Sequence, residues 1–482
     1  MTYDSEGLAR TFARLVAEAP LAAVVVSLSR HASRSDVAAL ARSAEAAAAA
    51  ARPGSLVGLS VPNGPAFLAG VVGLRRRGHG VVLLDPLSPL AERRRACAAL
   101  GAEGLLSSAL GWPMDGSEWR FAAIPDAASV SAASEAIGFV KLTSGSTGTP
   151  RGVAATEQAL LADDEALART MGLRGDDRIV GAISMSHSYG FSSVALPALR
   201  RGSIVVVPDE DGPLAPLSAA RAGAATVFPG APAYLQALLK LSRPPAWPES
   251  LRLVLSASAP LPPDVAAQFR ARFGLPVHVF YGASECGGIC YDREGTAAER
   301  GTVGEPVDGV RVRLEPLDDA SAPEGLVIVE SPAVALGYLP EGDARLGGGR
   351  FVTSDLAAFE GGELRLRGRV DDLINVKGKK VNPTEIESVL QRLPGVAEVV
   401  AFGVPSADKA SDTVRAVIAC PSGQLGYDEV LAWCRAHLPE HKVPRSVVLV
   451  SAIPRTSLGK VSRAELLALA GGRPGGPAGQ RG

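Results

Sequence analysis

Residues 142–152 read LTSGSTGTPRG and follow the apolar, β-branched run 137–140. The apolar run predicts a strand, and the loop after it combines hydroxyl-bearing residues with glycines. Because glycine has no Cβ, its backbone can approach a ligand closely, and neighbouring N–H groups and hydroxyls can then surround a polyphosphate. The stretch therefore predicts a phosphate-binding loop at the end of a strand.

This loop differs from a Walker loop, whose GxxxxGK[ST] pattern ends in Gly-Lys-Ser/Thr. Here Gly148 is followed by Thr149 and Pro150. By composition alone, a loop rich in Ser, Gly and Thr is more often a flexible linker than a ligand site. Its interpretation as a phosphate loop therefore depends on further motifs downstream.

Length and composition restrict the class of protein. A chain of 482 residues with 47% hydrophobic residues is long enough for several folded units. Its formal net charge of −1 argues against a nucleic-acid-binding surface. Since neither a signal peptide nor a long apolar run is present, we expect a cytoplasmic protein without membrane insertion. The five cysteines lack the paired spacing of a zinc site, so we expect reduced thiols.

Strand and helix patterns alternate from residue 56 onwards. Short apolar strands are predicted at 56–61, 81–84, 179–184, 203–207, 225–228, 251–256 and 277–280. With helical segments between them, they predict a parallel sheet covered by helices. After about residue 300 short strands and Gly/Pro turns predominate, and a compact α+β unit of about 100 residues follows.

Two polar stretches lie at predicted strand ends. SMSHSYG at 184–190 closes a strand and opens a helix, although a lone histidine such as His187 more often has a structural role. YGASE at 281–285 follows the strand 277–280, and ligands of open α/β sheets collect at the carboxyl ends of strands. Glu285 suits a hard cation such as Mg²⁺, and the Tyr281 ring can stack on an adenine. Alone, this stretch would be a strand-end turn with a solvated glutamate.

Three more stretches lie towards the C-terminus: FVTSDL at 351–356, GRVDDLINVKGKKV at 368–381 and PRTSLGKV at 454–461. The Asp355 carboxylate can accept hydrogen bonds from two ribose hydroxyls. The basic residues at 377–380 are by themselves typical of a solvated surface turn. A single lysine such as Lys460 is likewise normally only solvated.

Together and in this order, the stretches resemble the motifs of the acyl-adenylate-forming (AMP-binding) enzymes, the group of acyl-CoA synthetases, nonribosomal adenylation domains and luciferases. The likeness is strongest to the acyl-CoA synthetases. Arg151 stands where the family commonly has lysine, with its charge kept, and Ser284 replaces a threonine, with its hydroxyl kept. Ser354 replaces a glycine, so a turn with positive φ would be strained at this position.

The resemblance implies an α/β fold in two domains. Stacked α/β subdomains and a β-rich subdomain would form a large N-terminal AMP-binding domain at 1–368. A small, mobile α+β domain would follow at 373–470, after a hinge at 369–372 that is centred on Asp371. The Gly- and Pro-rich tail at 471–482 is expected to be disordered. Gly378 and Lys379 lie where the small domain would meet the pantetheine arm of a thiol acceptor.

The implied reaction is attack of a substrate carboxylate on the α-phosphorus of ATP, followed by transfer of the acyl group to a thiol. The resemblance makes Lys460, His187 and Glu285 the expected catalytic residues, with Glu285 as the Mg²⁺ ligand. ATP, Mg²⁺ and either CoA or the phosphopantetheine of an acyl carrier protein are the expected cofactors. The expected nucleotide-binding residues are Thr143, Ser144, Gly145, Ser146, Thr147, Gly148, Arg151, Ser256, Ala257, Tyr281, Gly282, Ser284, Asp355 and Arg369.

The acid is expected to be a small fatty, aryl or short branched carboxylic acid. Adenylation domains for α-amino acids place an aspartate shortly after the histidine motif, whereas residues 190–194 contain no carboxylate. A buried ammonium without a partner would be costly, so an amino acid is disfavoured. The expected acyl pocket is apolar and is formed by Tyr189, Phe191, Phe228 and Gly230.

Three alternatives remain open. The acyl group could pass to a carrier protein instead of CoA, because both acceptors present the same arm. An amide- or lactone-forming ligase would use the same first half-reaction. A non-enzymatic adenylate-binding protein is disfavoured, because Glu285, Asp355, Arg369 and Lys460 are all present.

Replacing Lys460 by alanine is expected to abolish acyl-adenylate formation, because the lysine would stabilise charge that develops at the α-phosphate. Pyrophosphate release measures the first step, and conversion of synthetic acyl-AMP by CoA measures the second, which is expected to persist. Lys240→Ala is the control for loss of a lysine outside the motifs. Unimpaired adenylation in Lys460→Ala would remove this lysine from the mechanism.

Overall fold

The computed structural model describes residues 7–112, 118–125, 127, 136–143, 150–210, 212–243, 245–317, 324–376, 379–405, 411–421, 423–455, 461 and 463–471. Contacts divide the chain into two compact units. The larger unit spans 1–315, 328–353 and 359–365. The smaller unit spans 316–327, 354–358 and 366–482.

Local signals fix the ends of several helices. Ser33 and Asp36 form a capping box at the start of the second helix, and Thr156 caps the fifth, which ends at Gly172 with a φ of 63°. No helix in the described ranges combines the length and apolar character that a membrane span needs. In chain order the α-helices are α1 (Leu8–Glu18), α2 (Arg34–Ala47), α3 (Pro65–Arg76), α4 (Leu90–Ala99), α5 (Glu157–Met171), α6 (Ser188–Gly190), α7 (Leu196–Arg201), α8 (Ala215–Ala222), α9 (Pro232–Leu239), α10 (Pro263–Phe273), α11 (Ala297–Arg300), α12 (Pro383–Leu390), α13 (Tyr427–His437) and α14 (Arg463–Gly471).

The strands are short, and most carry the aliphatic runs that the sequence analysis singled out. In chain order they are β1 (Ala23–Val26), β2 (His31–Ser33), β3 (Leu56–Ser60), β4 (Gly80–Leu83), β5 (Gly104–Ser107), β6 (Arg120–Ala123), β7 (Phe139–Thr143), β8 (Arg151–Ala155), β9 (Arg178–Val180), β10 (Ile204–Val206), β11 (Val227–Gly230), β12 (Leu253–Ser256), β13 (Val277–Ala283), β14 (Gly287–Tyr291), β15 (Glu305–Pro306), β16 (Arg311–Glu315), β17 (Glu324–Glu330), β18 (Gly337–Leu339), β19 (Leu346–Gly347), β20 (Arg350–Glu360), β21 (Glu363–Arg369), β22 (Ile374–Val376), β23 (Lys379–Val381), β24 (Glu398–Pro405), β25 (Asp412–Ala419) and β26 (Ser446–Val450). A π turn spans Phe191–Ala195, and 3₁₀ turns span Val370–Asp372 and Glu440–Lys442.

A nine-stranded sheet lies in the larger unit, with the order β15-β14-β13-β12-β11-β9-β10-β1-β2. Its central strands from β13 to β1 pair in parallel, and β14, β15 and β2 extend its two ends in antiparallel pairs. The parallel strands are largely buried, which explains why they read as continuous Val, Leu and Ile runs.

A seven-stranded sheet, also in the larger unit, has the order β18-β8-β7-β4-β3-β5-β6. Strands β7, β4, β3 and β5 are parallel, and the other pairs are antiparallel. The fully buried Phe191 ring of the π turn lies 5.0 Å from the Phe139 ring on β7 and 6.4 Å from the Phe67 ring on α3. These aromatic contacts connect the π turn to the seven-stranded sheet.

The smaller unit contains the sheet β24-β25-β26. Buried side chains of α12 and α13, among them Ile386, Leu390 and Val430, form one core with this sheet, and Phe402 and Leu466 belong to a second core. The hairpin β22-β23 precedes it. A further sheet has the order β16-β17-β20-β19, with β21 beside β20, and β16 belongs to the larger unit.

The predicted α/β fold class is confirmed, with a larger N-terminal part and a smaller α+β part. Several predicted strands have shorter bounds in the structure, and the largest difference is at 179–184, where the strand ends at Val180. Asn63 explains this difference, because its amide donates to the carbonyls of Gly181 and Ile183 at 3.0 and 2.9 Å. The side chain thus satisfies backbone groups that a longer strand would have paired.

A buried carboxylate connects distant parts of the larger unit. Asp163 on α5 accepts hydrogen bonds from the Ser192 hydroxyl and the Gly288 amide, both at 2.9 Å. Lys141 on β7 is the nearby cation whose charge acts on Asp163 without a direct ion pair, and the two residues are only 3% and 2% exposed. Burial lowers the pKa of Lys141 and raises the pKa of Asp163, and each charge opposes the shift of the other. The sequence analysis treated Lys141 as part of no site.

Replacing Lys141 by methionine is expected to lower the free energy of unfolding by about 1–3 kcal/mol, because the buried Asp163 carboxylate would lose the positive charge that acts on it. Urea unfolding would measure the change. The double variant Lys141→Met/Asp163→Asn is expected to recover most of the loss, since Asn still accepts the Gly288 hydrogen bond. Lys240→Met, on an exposed lysine, is the control. A loss below about 1 kcal/mol in the single variant would show that the pair is not required.

Candidate active site

Two parallel strands of the nine-stranded sheet, β11 and β12, end side by side next to β13. Gly230 at the end of β11 pairs with Ser256 at the end of β12, and Ser256 pairs with Val279 of β13. Strand β13 continues through Gly282, where a Cβ would lie 2.7 Å from the Gly287 carbonyl oxygen. Only glycine fits there without a shift of backbone. The predicted Tyr281–Glu285 motif therefore lies at the carboxyl edge of the sheet, where ligands of such folds bind.

The residues after β12 differ in exposure. Ser256 and Ala257, both predicted to bind nucleotide, are only 1% and 6% exposed. Ser258 is exposed and has a left-handed backbone with a φ of 73°. Non-glycine residues in this conformation are strained and concentrate at functional sites. Ser258 is a candidate functional residue that the sequence analysis missed. No local sequence signal predicts its left-handed backbone conformation.

Glu285 is held from two sides. Its side chain accepts a hydrogen bond from the Tyr338 hydroxyl at 2.9 Å, and its carbonyl oxygen accepts one from the Ala335 amide at 2.8 Å. The adjacent Ser284 hydroxyl accepts a hydrogen bond from Ser188 at 2.7 Å. The carboxylate is thus fixed at the strand end, as a ligand for a hard cation would need to be.

The two described ends of the phosphate loop are paired with each other. Thr143 on β7 lies opposite Arg151 on β8, and its hydroxyl donates to the Arg151 carbonyl at 3.3 Å. The Arg151 guanidinium carbon lies 3.7 Å from the centre of the Tyr338 ring. The Arg151 Nη2 atom lies 3.3 Å from Asp343 Oδ2. Hydrogen bonds from Arg345, and then from Arg151, hold the pKa of Asp343 well below its usual range.

His187 lies just before α6, and its Nε2 is 3.7 Å from Asp85 Oδ2. Its side chain is 36% exposed. Helix α6 continues through the π turn Phe191–Ala195 into α7, and such π turns occur frequently at functional sites. Asp85 follows β4 and was not predicted as a site residue, because nothing in the local sequence indicates its nearness to His187.

The predicted acyl pocket is divided in the structure. The Tyr189 ring lies 5.9 Å from the Phe280 ring, and burial raises the pKa of the Tyr189 phenol. Phe191 and Phe228 are fully buried instead. Phe191 packs on the seven-stranded sheet, and Phe228 packs between Tyr234 and Trp247. Of the four residues predicted to form the acyl pocket, only Tyr189 is partly exposed, and the predicted pocket stays a prediction.

The smaller unit brings together the residues that were predicted to hold the ribose and the hinge. Arg369 Nε lies 3.5 Å from Asp355 Oδ1. The Ser354 hydroxyl donates to the Asp371 carboxylate, which belongs to a 3₁₀ turn. Ser354 lies within β20 without a positive φ, so its replacement of glycine causes no strain there. Lys379 is exposed on β23.

Seven predicted site residues lie outside the described residues. They are Ser144, Gly145, Ser146, Thr147 and Gly148 of the phosphate loop, Gly378 of the thiol-acceptor channel, and Lys460. Most of the predicted tail, 472–482, also lies outside them.

Comparison with known proteins tests the predicted family. The model of the AMP-binding enzyme family matches residues 12–339, and that of the AMP-binding enzyme C-terminal domain matches residues 385–460. A feruloyl-CoA synthase of an Amycolatopsis species is 30% identical over 449 residues, covering 87% of this chain and 89% of that protein. A sulfoacetate–CoA ligase of Cupriavidus necator is 30% identical over 335 residues, covering 67% of this chain and 65% of that protein.

A solved structure extends the likeness to the fold. The amide bond synthetase McbA of Marinactinospora thermotolerans has a TM-score of 0.78 and 26% identity, covering 95% of this chain and 99% of that chain. The family that the motifs predicted is confirmed, since the family model spans more than half of the chain. The chain belongs to the AMP-binding enzyme family.

Proposed function

We propose that this protein is an AMP-forming acid–thiol ligase of the acyl-CoA synthetase type. It activates a carboxylic acid with ATP, releases pyrophosphate and transfers the acyl group to CoA. The match of both AMP-binding domains carries this proposal, and the CoA ligases among the relatives favour CoA as the acceptor. Five free cysteines fit a reducing compartment, so we propose the cytoplasm as its location.

In the first step a carboxylate oxygen attacks the α-phosphorus, and the bond to pyrophosphate breaks. Because charge spreads over the phosphate oxygens, catalysis rests mainly on positioning and charge stabilisation. We assign the phosphates to the loop between Thr143 and Arg151, including Ser144, Ser146 and Thr147. Lys460 is assigned to the α-phosphate and the carboxylate.

Glu285 is the proposed Mg²⁺ ligand. Within the described ranges no group of three or more His, Cys, Asp or Glu side chains is suited to hold a metal by itself. Mg²⁺ usually takes one or two carboxylates and completes its shell with phosphate oxygens and water. A single fixed carboxylate at the strand end fits a cation that arrives with ATP and neutralises phosphate charge.

The smaller unit supplies the proposed ribose contacts and the second step. Asp355 and Arg369 are assigned to the ribose. A rotation about Asp371 is proposed to move Lys460 away after the first step. The same rotation would bring in the thiol channel beside Gly378 and Lys379. A thiolate then attacks the acyl carbonyl, and AMP leaves. A carrier-protein phosphopantetheine could use the same channel, because it carries the same arm as CoA.

The proposed substrate is an aryl, fatty or short branched acid. The partly exposed Tyr189 ring packs on the buried Phe280 ring, and the relatives include a feruloyl-CoA synthase. Residues 190–194 contain no carboxylate that could pair with a substrate ammonium. The structure does place one carboxylate, that of Asp85, beside His187, which the sequence analysis did not predict. The likeness to an amide bond synthetase makes an amine acceptor the second candidate for the transfer step.

A product screen tests the proposal. The protein is incubated with Mg-ATP, CoA, an amine and a pool of carboxylic acids, and mass spectrometry follows acyl-AMP, acyl-CoA and amides. Acyl-CoA is expected. Amide in its place would select the second candidate, and acyl-AMP alone would indicate a carrier protein. Absence of all three products across fatty, aryl and branched acids would contradict the proposal.

Replacing Asp371 by proline is expected to spare acyl-AMP formation but to slow thioester formation by about tenfold, or about 1.4 kcal/mol in the barrier. Proline fixes φ and so restricts rotation at the proposed hinge. Asp371→Asn is the matched control, because it keeps the backbone free and an acceptor for Ser354. The two half-reactions are measured separately. Equal loss of both in the proline variant would refute the hinge assignment.

A further inference from the structure

Tyr338 belongs to none of the motifs that predicted the site. It lies in the middle of β18, which pairs antiparallel with β8, the strand that leaves the phosphate loop. Tyr338 is opposite Val153, and Leu339 is opposite Gly152. The Leu336 amide donates to the Ala154 carbonyl at 2.8 Å and continues this pairing. The position of Tyr338 is therefore fixed relative to the end of the phosphate loop.

The Tyr338 side chain contacts both Glu285 and Arg151. The Tyr338 hydroxyl donates to Glu285 Oε1 at 2.9 Å, while the Arg151 guanidinium lies 3.7 Å above the ring centre. Arg151 is held in turn by Asp343 at 3.3 Å. The contacts form an unbroken series from Asp343 through Arg151 and Tyr338 to Glu285.

The chemistry of each contact favours a positioning role. A carboxylate held at one oxygen keeps its other oxygen for a ligand, and partners of this kind usually set the orientation of metal-binding carboxylates. A planar guanidinium stacks on an aromatic ring in a way that a lysine ammonium does not. The arginine at position 151 thus suits a ring that must keep one orientation.

We propose that Tyr338 is a positioning residue that orients Glu285 towards the Mg²⁺ of Mg-ATP, and that Arg151 holds the Tyr338 ring in place. The inference rests on the proposed function, in which Glu285 is the metal ligand. It adds a physical connection between the metal ligand and the strand that leaves the phosphate loop.

Nucleotide binding without turnover tests the inference. Calorimetry gives the dissociation constant of α,β-methylene-ATP, which cannot be cleaved at the α–β bond, in excess Mg²⁺ and in EDTA. The ratio of the two constants reports how much Mg²⁺ strengthens binding. Tyr338→Phe is expected to reduce this ratio by about tenfold, with binding in EDTA unchanged. A purely structural role would weaken binding equally under both conditions.

Two further variants separate the possible failures. Tyr291→Phe removes a phenol from β14, where the ring stacks on His278, and is expected to keep the wild-type ratio. Glu285→Gln is expected to lose most of the Mg²⁺ effect. If it does and Tyr338→Phe does not, the positioning role is refuted while the proposed function stands. If Glu285→Gln keeps the full effect, or the wild type binds no nucleotide, the metal assignment fails and the inference fails with it.

Discussion

The arrangement of the larger unit depends on a buried charge, the Asp163 carboxylate. It accepts hydrogen bonds from Ser192 on the π turn and from Gly288 on β14, and it interacts with Lys141 on β7. These partners lie on three separate stretches of chain, each close in sequence to candidate site residues. Burying an ionised group is costly unless its partners are in place, so the two Asp163 hydrogen bonds and the nearby Lys141 charge favour one arrangement of these stretches. The constraint relates Glu285, the histidine segment and the Thr143 end of β7 to one another.

In the larger unit, side chains from other elements hold the candidate site residues in place. Glu285, Ser284 and His187 lie at strand ends or at a helix start, and each is held by a partner from another element: Tyr338, Ser188 and Asp85. Such support reduces the reorganisation that binding and reaction would otherwise require. In this account the protein contributes mainly geometry and charge, which is what attack on a phosphate needs.

Sequence reasoning reached the fold class and the family because both depend on local patterns. The parallel strands read as short aliphatic runs, and the motifs follow at their ends. Contacts between distant stretches were beyond it: Asp85 lies beside His187, and Tyr338 reaches Glu285, without any local signal. The predicted acyl pocket shows the same limit of local patterns. Phe228 is an aromatic residue of the kind that lines pockets, but its ring is fully buried against Trp247 in a core that the tertiary structure defines.

The central claim is that a carboxylate oxygen attacks the α-phosphorus of ATP. The most direct measurement uses an acid substrate labelled with ¹⁸O in its carboxylate, with mass spectrometry of the nucleotide and the pyrophosphate after complete turnover with CoA. The account predicts one ¹⁸O atom in AMP and none in pyrophosphate. Label in inorganic phosphate, with ADP as the nucleotide product, would mean attack at the γ-phosphorus and would contradict the account.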